Sequence, residues 1–429
     1  MYVDHNLFMK QGFLIFKNLI PREQLPELRW KYETALEVQK LQWAKEAGPD
    51  DPPGGHWETS AMPTLDLDTV MEPQTAAAME FCLGENTLGI SEQLMQNTAA
   101  PLTMQMLCSP IVDVGHSNWH RDVDSINVAP YEGLSLDTQA NGPGLLQWNI
   151  PLYDDDVFWV VPGSHLRPET EAEAQQLLSN AQVPLPNSEP VKLKAGDAVV
   201  YTNILLHWGS LYTAKLRRTI HLSYRSFGGQ LLPHYHVSHY SFDYGFVQHL
   251  SPAAQTEFYH FRDLYAKERD DIESLMRAII ELNEVNFHAG IAILHPGKKG
   301  RMVTLILLSQ WVKLLIVLTR TDVRNLALIE RANITNLDPT DVPYYADVAD
   351  RFTAQEGQIL AQRFAGLEAQ LATDRQTAYT QLEKKHKGLE PIPGDLSSFD
   401  FHQRSTRTLY SAMPTAFGLD EFVASWDQP

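Results

Sequence analysis

The sequence predicts a β-barrel core with an N-terminal cap and a large helical C-terminal extension. Three observations lead there. From about residue 100 to 227, short apolar runs alternate with turn signals, which is an all-β texture. After about residue 245 the runs lengthen into charged segments of helical period. Two histidines and an aspartate fall in the β-rich part at spacings that a barrel mouth would bring together.

The elements follow in order. Gly12 to Ile20 reads as a strand, and Pro21-Arg22-Glu23-Gln24 opens a helix through about Glu37, with proline early where it is tolerated. Residues 47–56 carry Gly48, Pro49, Pro52, Pro53, Gly54 and Gly55 and read as a loop. The strand runs are 102–108, 111–116, 145–152, 157–161, 198–206 and 218–224. Turns fall at Asn141-Gly142-Pro143-Gly144, Pro162-Gly163 and Ala195-Gly196-Asp197. Glu257 to Asn286 is helical in period, and Val348, Phe352, Leu360, Phe364, Leu367 and Leu371 mark an amphipathic helix. From Pro391 onward no period is visible. The division expected is a catalytic core over 1–245 and a mostly helical extension over 246–429, serving as lid, dimerisation surface or partner dock.

Net charge is −19, which excludes a broad electrostatic footprint for nucleic acid or anionic membrane. With only two cysteines, Cys82 and Cys108, a disulfide framework and a zinc ribbon are excluded, and a reducing, cytoplasmic setting is the simpler reading. Phe13-Leu14-Ile15-Phe16 is too short for a secretory segment. Met302 to Thr319 is long and apolar, but Ser309, Gln310 and Lys313 sit in its middle, so a buried or dimer-interface helix is expected and no membrane span.

The chemistry gathers at His120-Arg121-Asp122 and His207. On an extended segment His120 and Asp122 project to one side, Trp119 and Arg121 to the other. A second imidazole at His207, ending the run Val199 to Leu206, completes two histidines and one carboxylate. That set occupies one face of an octahedral ion and leaves positions open, as in non-haem iron(II) sites. On the next strand Arg217, Thr219, His221, Ser223 and Arg225 share one face, and Ile220, Leu222 and Tyr224 the other. A polar barrel interior with an apolar exterior under helices fits this division. Parity then selects Arg217 over Arg218 as the inward cation.

These pieces resemble the phytanoyl-CoA dioxygenase family of iron(II)- and 2-oxoglutarate-dependent oxygenases. The matching residues are Gly12-Phe13-Leu14-Ile15, His120-Arg121-Asp122, Val161-Pro162-Gly163-Ser164-His165, Ala195-Gly196-Asp197, and His207 with Arg217. They lie within about residues 8–227. The resemblance implies a double-stranded β-helix, or jelly roll, with His120, Asp122 and His207 as iron ligands and Arg217 clamping the distal carboxylate of 2-oxoglutarate. Counted forward from His207 with the family's longer spacing, the clamp falls on Arg218. The resemblance also implies use of O2, release of succinate and CO2, and a small-molecule substrate. Asp122 favours hydroxylation or a related oxidation over halogenation, for which relatives carry a small residue there.

Gln105 is a further candidate contact to 2-oxoglutarate, and His221 and Thr219 are candidates for the substrate pocket. Against these stand plainer assignments. Gln105 can be satisfied by backbone, His116 falls too far along the strand to ligate, and Asp124 competes as a carboxylate. His165 reads as a turn histidine, and Asp154-Asp155-Asp156 as a solvated turn. Two other functions use the same residues: a zinc hydrolase with bound water, which leaves Arg217 and the Pro-Gly-Ser-His run unexplained, and a non-catalytic barrel serving as an interaction module. A homodimer through the C-terminal helices is a further expectation.

Overall fold

The computed structural model describes residues 1–122, 131–227, 244–293, 299–335, 339 and 342–385. Among the described residues nine strands form two antiparallel sheets. These are β1 (Phe13–Phe16), β2 (Thr64–Asp66), β3 (Ala99–Cys108), β4 (Leu145–Pro151), β5 (Asp155–Val160), β6 (Glu189–Leu193), β7 (Ala198–Thr202), β8 (His207–Gly209) and β9 (Arg218–Ser226). The larger sheet runs β1-β7-β4-β9-β3-β2 and the smaller β6-β5-β8.

The two faces of the larger sheet differ as the alternation of β9 requires. Ile220, Leu222 and Tyr224 join Trp148 and Ile150 of β4 and Met104 and Met106 of β3 in the main apolar cluster. Helix Leu25–Glu46 contributes Leu28, Tyr32 and Leu36 to it, and helix Pro252–Ile280 contributes Phe258 and Phe261. The helix Pro252–Ile280 therefore covers the outer face of the larger sheet. The inner face carries Thr219, His221, Ser223 and Arg225, opposite Gln147 and Asn149 of β4. Toward β1 and β7 it turns apolar: Phe13, Val199 and Tyr201 pack with Phe158, Val160, Val191 and Leu193 from the smaller sheet.

Several expectations are corrected. The run 198–206 is not one strand. It breaks after Thr202, where Leu205 N–H donates to Thr202 O, and His207 opens β8 in the other sheet. Two buried groups draw the chain across: Arg121 Nε donates to Ile204 O at 3.0 Å, and Ser164 Oγ accepts from Leu206 N at 2.9 Å. Residues 111–116 form no strand beyond one bridge, Gly115 to Tyr212. The first strand stops at Phe16, and the helix after it runs to Glu46, its far end held by Trp43 stacking on Trp57. Two helices stand in the stretch read as all-β, Tyr131–Asn141 and Glu171–Ser179. The second is closed by a reciprocal cap between Thr170 and Glu173. Glu257 to Asn286 divides into Pro252–Ile280 and a second helix, Glu284–Ile293.

Helix Arg301–Thr319, the apolar stretch, packs on Ala354–Lys385, Val342–Ala349 and Tyr131–Asn141. Leu305, Leu308, Val312, Leu315 and Ile316 are buried there. Lys313 is buried near Glu368, which accepts from Ser309. Among the described residues no helix is long and apolar enough to cross a membrane. The stretch from Pro391 and the competing carboxylate Asp124 lie outside the described residues.

Candidate metal centre

His120 and His207 face each other across an isolated antiparallel bridge, each N–H donating to the other's carbonyl at 3.0 Å. Residues directly opposite in such a bridge hold their side chains close, and the two imidazole centroids lie 4.4 Å apart. The segment 119–122 is extended but is no regular strand; the alternation read from sequence holds all the same. Trp119 turns away and stacks on Trp208 at 5.3 Å, while Arg121 is buried on the same far side.

Each histidine is fixed by the backbone two residues behind it. His120 Nδ1 lies 2.9 Å from Asn118 O, and His207 Nδ1 lies 2.8 Å from Leu205 O. A carbonyl only accepts, so Nδ1 carries a proton and Nε2 is the nitrogen each ring turns toward Asp122. Asp122 sits between them, Oδ1 3.3 Å from His120 Nε2 and Oδ2 3.3 Å from His207 Nε2. One donor atom from each of the three residues lies within 4.8 Å of the others. Two imidazole nitrogens and a carboxylate oxygen aimed at one point are the donor set of a divalent transition metal, and the fixed tautomers fit that use. Burial works against the Asp122 carboxylate, but the flanking His207 and His120 hold it well below the usual carboxylate range.

Outer contacts hold the aspartate. Asp122 N–H donates to Asn203 O at 2.9 Å, and Asn203 Nδ2 returns a bond to Asp122 O at 3.0 Å. Gln147 Nε2 donates to Asp122 Oδ2 at 2.8 Å. The carboxylate can only accept, so the Gln147 amide orientation is determined. Its Oε1 is buried with no partner among the described residues.

The Pro162-Gly163-Ser164-His165 turn works as a buttress for this site. Ser164 O accepts from Arg121 at 3.0 Å while Ser164 Oγ accepts from Leu206 N, so one residue ties both ligand segments together. Glu169 neutralises Arg121. Gly163 has φ +77°, where a glycine costs least. Gly12, at φ +87°, leaves room for His165, whose Nδ1 would lie 2.6 Å from an added Cβ. His165 itself is fully buried, its Nε2 3.1 Å from Met9 O, as a turn histidine and not a ligand. His116 stands aside, with Nδ1 2.5 Å from Ser210 O.

The two arginines part company. Arg218 Nε reaches Glu33 at 3.2 Å on the helix-covered side, with its guanidinium over Trp57. Arg217 Nε donates to Asp155 Oδ2 at 2.8 Å, and among the described residues its two terminal nitrogens make no hydrogen bond. Tyr201 and Tyr212 act on it electrostatically, and it in turn acts on His221. Thr219 Oγ1 also donates to Asp155 Oδ2, at 2.8 Å, which uses its hydroxyl proton. His221 pairs through Nδ1 with Asn149 Oδ1 at 2.8 Å, and burial pushes its pKa down to about 4. Gln105 lies beside His221 in register, but its amide nitrogen donates to Asp66 Oδ1 at 2.7 Å.

The acidic triplet is corrected. Asp154 and Asp156 are solvated and meet Lys194 and Lys215, whereas Asp155 is buried under Arg217 and Thr219. Sequence reasoning also passed over Tyr201 and Phe158. The rings of Tyr201 and Phe158 lie 5.1 Å and 5.6 Å from the His207 ring and wall that side of the site. Nothing in three consecutive aspartates marks the middle one.

No family model and no curated protein matches the chain. Among solved structures it is similar to AviO1 from Streptomyces viridochromogenes Tue57, at 21% identity and TM-score 0.37, over 53% of this chain and 96% of that one. It is also similar to EctD from S. alaskensis with 2-oxoglutarate and 5-hydroxyectoine, at 13% identity and TM-score 0.38, over 52% of this chain and 74% of that one. A third is HygX from Streptomyces hygroscopicus with nickel and 2-oxoglutarate bound, at 14% identity and TM-score 0.36, over 52% of this chain and 85% of that one.

Proposed function

We propose that this chain is an iron(II)- and 2-oxoglutarate-dependent oxygenase of jelly-roll architecture that hydroxylates a C–H bond of a small molecule. The observation that carries the reading is the convergence of His120 Nε2, His207 Nε2 and an Asp122 carboxylate oxygen within 4.8 Å. Iron(II) held there, with 2-oxoglutarate, supplies the oxidising chemistry: one oxygen atom of O2 goes to the cosubstrate, which leaves as succinate and CO2, and the other to the substrate. Membership in the phytanoyl-CoA dioxygenase family rests on the His120-Arg121-Asp122, Pro162-Gly163-Ser164-His165 and His207 pattern alone, and a cytoplasmic setting on the cysteine usage.

The protein's contribution is geometry and exclusion of water. Backbone carbonyls hold both Nδ1 atoms, which leaves each Nε2 as the nitrogen that would meet a metal. Gln147 orients Asp122 from behind. The terminal nitrogens of Arg217 are suited to a forked bond with the distal carboxylate. His221, with its pKa depressed, stays neutral at physiological pH and adds no competing cation. Phe158 and Tyr201 shield the His207 side from water.

Anaerobic titration with iron(II) and then 2-oxoglutarate tests this directly. A visible metal-to-ligand absorption band is expected on adding the keto acid, followed by slow succinate release on admitting oxygen. Tight metal binding with neither band nor succinate would overturn the reading.

A further inference from the structure

We infer that Asp155 is a positioning residue for the cosubstrate: it holds the Arg217 guanidinium by its Nε edge and leaves the two terminal nitrogens for the distal carboxylate of 2-oxoglutarate. The inference rests on the oxygenase reading above and adds a residue to it.

Arg217 precedes β9 in the larger sheet, whereas Asp155 opens β5 in the smaller one. The pairing of β5 with β6 is irregular between Asp155 and Phe158. Such irregularities re-aim a side chain, and here Asp155 turns inward while Asp154 and Asp156 meet lysines at the surface. Its carboxylate then accepts three hydrogen bonds from within the protein. Oδ2 accepts from Arg217 Nε and Thr219 Oγ1, each at 2.8 Å, and Oδ1 accepts from Val157 N at 3.0 Å. The side chains of Arg217 and Asp155 are 11% and 6% exposed, so water competes little for this bond.

A guanidinium on a flexible stem binds a carboxylate well only when its plane is set beforehand. A bond at Nε sets that plane, takes up the side-on fork that Nε makes with one terminal nitrogen, and leaves the end-on pair of terminal nitrogens. Asp155 also offsets the positive charge of Arg217, so recognition depends on fork geometry more than on net attraction. Thr219, bonded to the same oxygen, steadies Asp155 and is used up in doing so.

The test is equilibrium binding of 2-oxoglutarate to the iron(II)-loaded protein without oxygen, read from the chelate band, with iron(II) affinity measured separately. Asp155→Ala is expected to weaken 2-oxoglutarate binding about 10-fold, the loss of one well-oriented charge-assisted contact. Iron(II) affinity should stay within about 2-fold of wild type, since Asp155 touches no metal ligand. In an Arg217→Ala background the same change should add nothing, because Asp155 acts through Arg217. Asp155→Asn, of equal size, keeps part of the acceptor capacity and should fall between wild type and Asp155→Ala; it carries the test if the alanine variant does not fold. Unchanged or tighter 2-oxoglutarate binding in both Asp155 variants overturns the positioning role, as does an equal loss with and without Arg217. A wild-type protein that binds iron(II) but gives no band overturns the oxygenase reading itself, a different outcome.

Discussion

Buried charge is handled differently in the helical layer and around His120 and His207. In the helical layer several buried ions face a counter-charge within the chain. Arg301 donates to Asp374 at 2.5 Å and to Gln370, Lys313 lies by Glu368, and Asp137 accepts from Gly300 N beside Lys299. Between the two sheets some buried groups keep capacity in reserve. The terminal nitrogens of Arg217 and the amide oxygen of Gln147 make no hydrogen bond among the described residues. Leaving a buried polar group unsatisfied costs stability, and Gln147, which touches Asp122 while its own oxygen has no partner among the described residues, fits a place that binds something. A cluster that is internally complete marks architecture.

The contrast can be broken most forcefully at His207. His207→Ala should abolish the chelate band and succinate release and lower metal affinity by more than ~100-fold, while the melting temperature moves little, because three converging donors do not stabilise the fold by themselves. A large loss of stability with metal binding intact would reverse the contrast. Second, Arg301→Met leaves Asp374 buried without its cation and should destabilise the protein by ~3–5 kcal/mol in denaturant unfolding. Iron(II) and 2-oxoglutarate binding to the folded fraction should be unaltered. A loss of binding there would show that the helical layer belongs to the site.

A third test uses pH. Burial holds the Asp137 carboxyl up at about 6, with Asn141, Gly300 N and Lys299 opposing and Asp374 adding to the rise. The fold therefore favours its neutral form. This contribution is present at pH 4 and is lost as pH rises through 6, by on the order of 1–3 kcal/mol. Relative to Asp137→Asn, wild-type stability should decline across that window; parallel curves for the two proteins would remove Asp137 as the cause. The smallest effect is Arg217→Lys, which keeps the charge and loses the fork. It should weaken 2-oxoglutarate about 10-fold with metal affinity unchanged. Wild-type affinity in the lysine variant would mean that charge alone suffices.

Legibility in the sequence followed the range of the forces involved. The convergence of His120, Asp122 and His207 was readable because alternation along an extended chain is local, and the same alternation placed Arg217 inward and Arg218 outward. The break after Thr202 was not readable. An unbroken apolar run looks like one strand, and the groups that divert it, Arg121 and Ser164, lie far away in sequence. Helix Tyr131–Asn141 was missed because Gly133, Ser135, Asp137 and Thr138 are weak helix formers. Its support comes from packing on Arg301–Thr319 and Ala354–Lys385. Asp155 was read as solvent-facing for a similar reason, since only the register of β5 against β6 separates it from its two neighbours.

The paired backbone bonds between His120 and His207 have a consequence for assembly. A slip of one residue at that bridge would set Trp119 or Arg121 opposite His207, and the donor set would vanish completely instead of weakening by degrees. Metal capture would thus proofread the folding of this chain, admitting only molecules whose two distant segments have met in the correct phase.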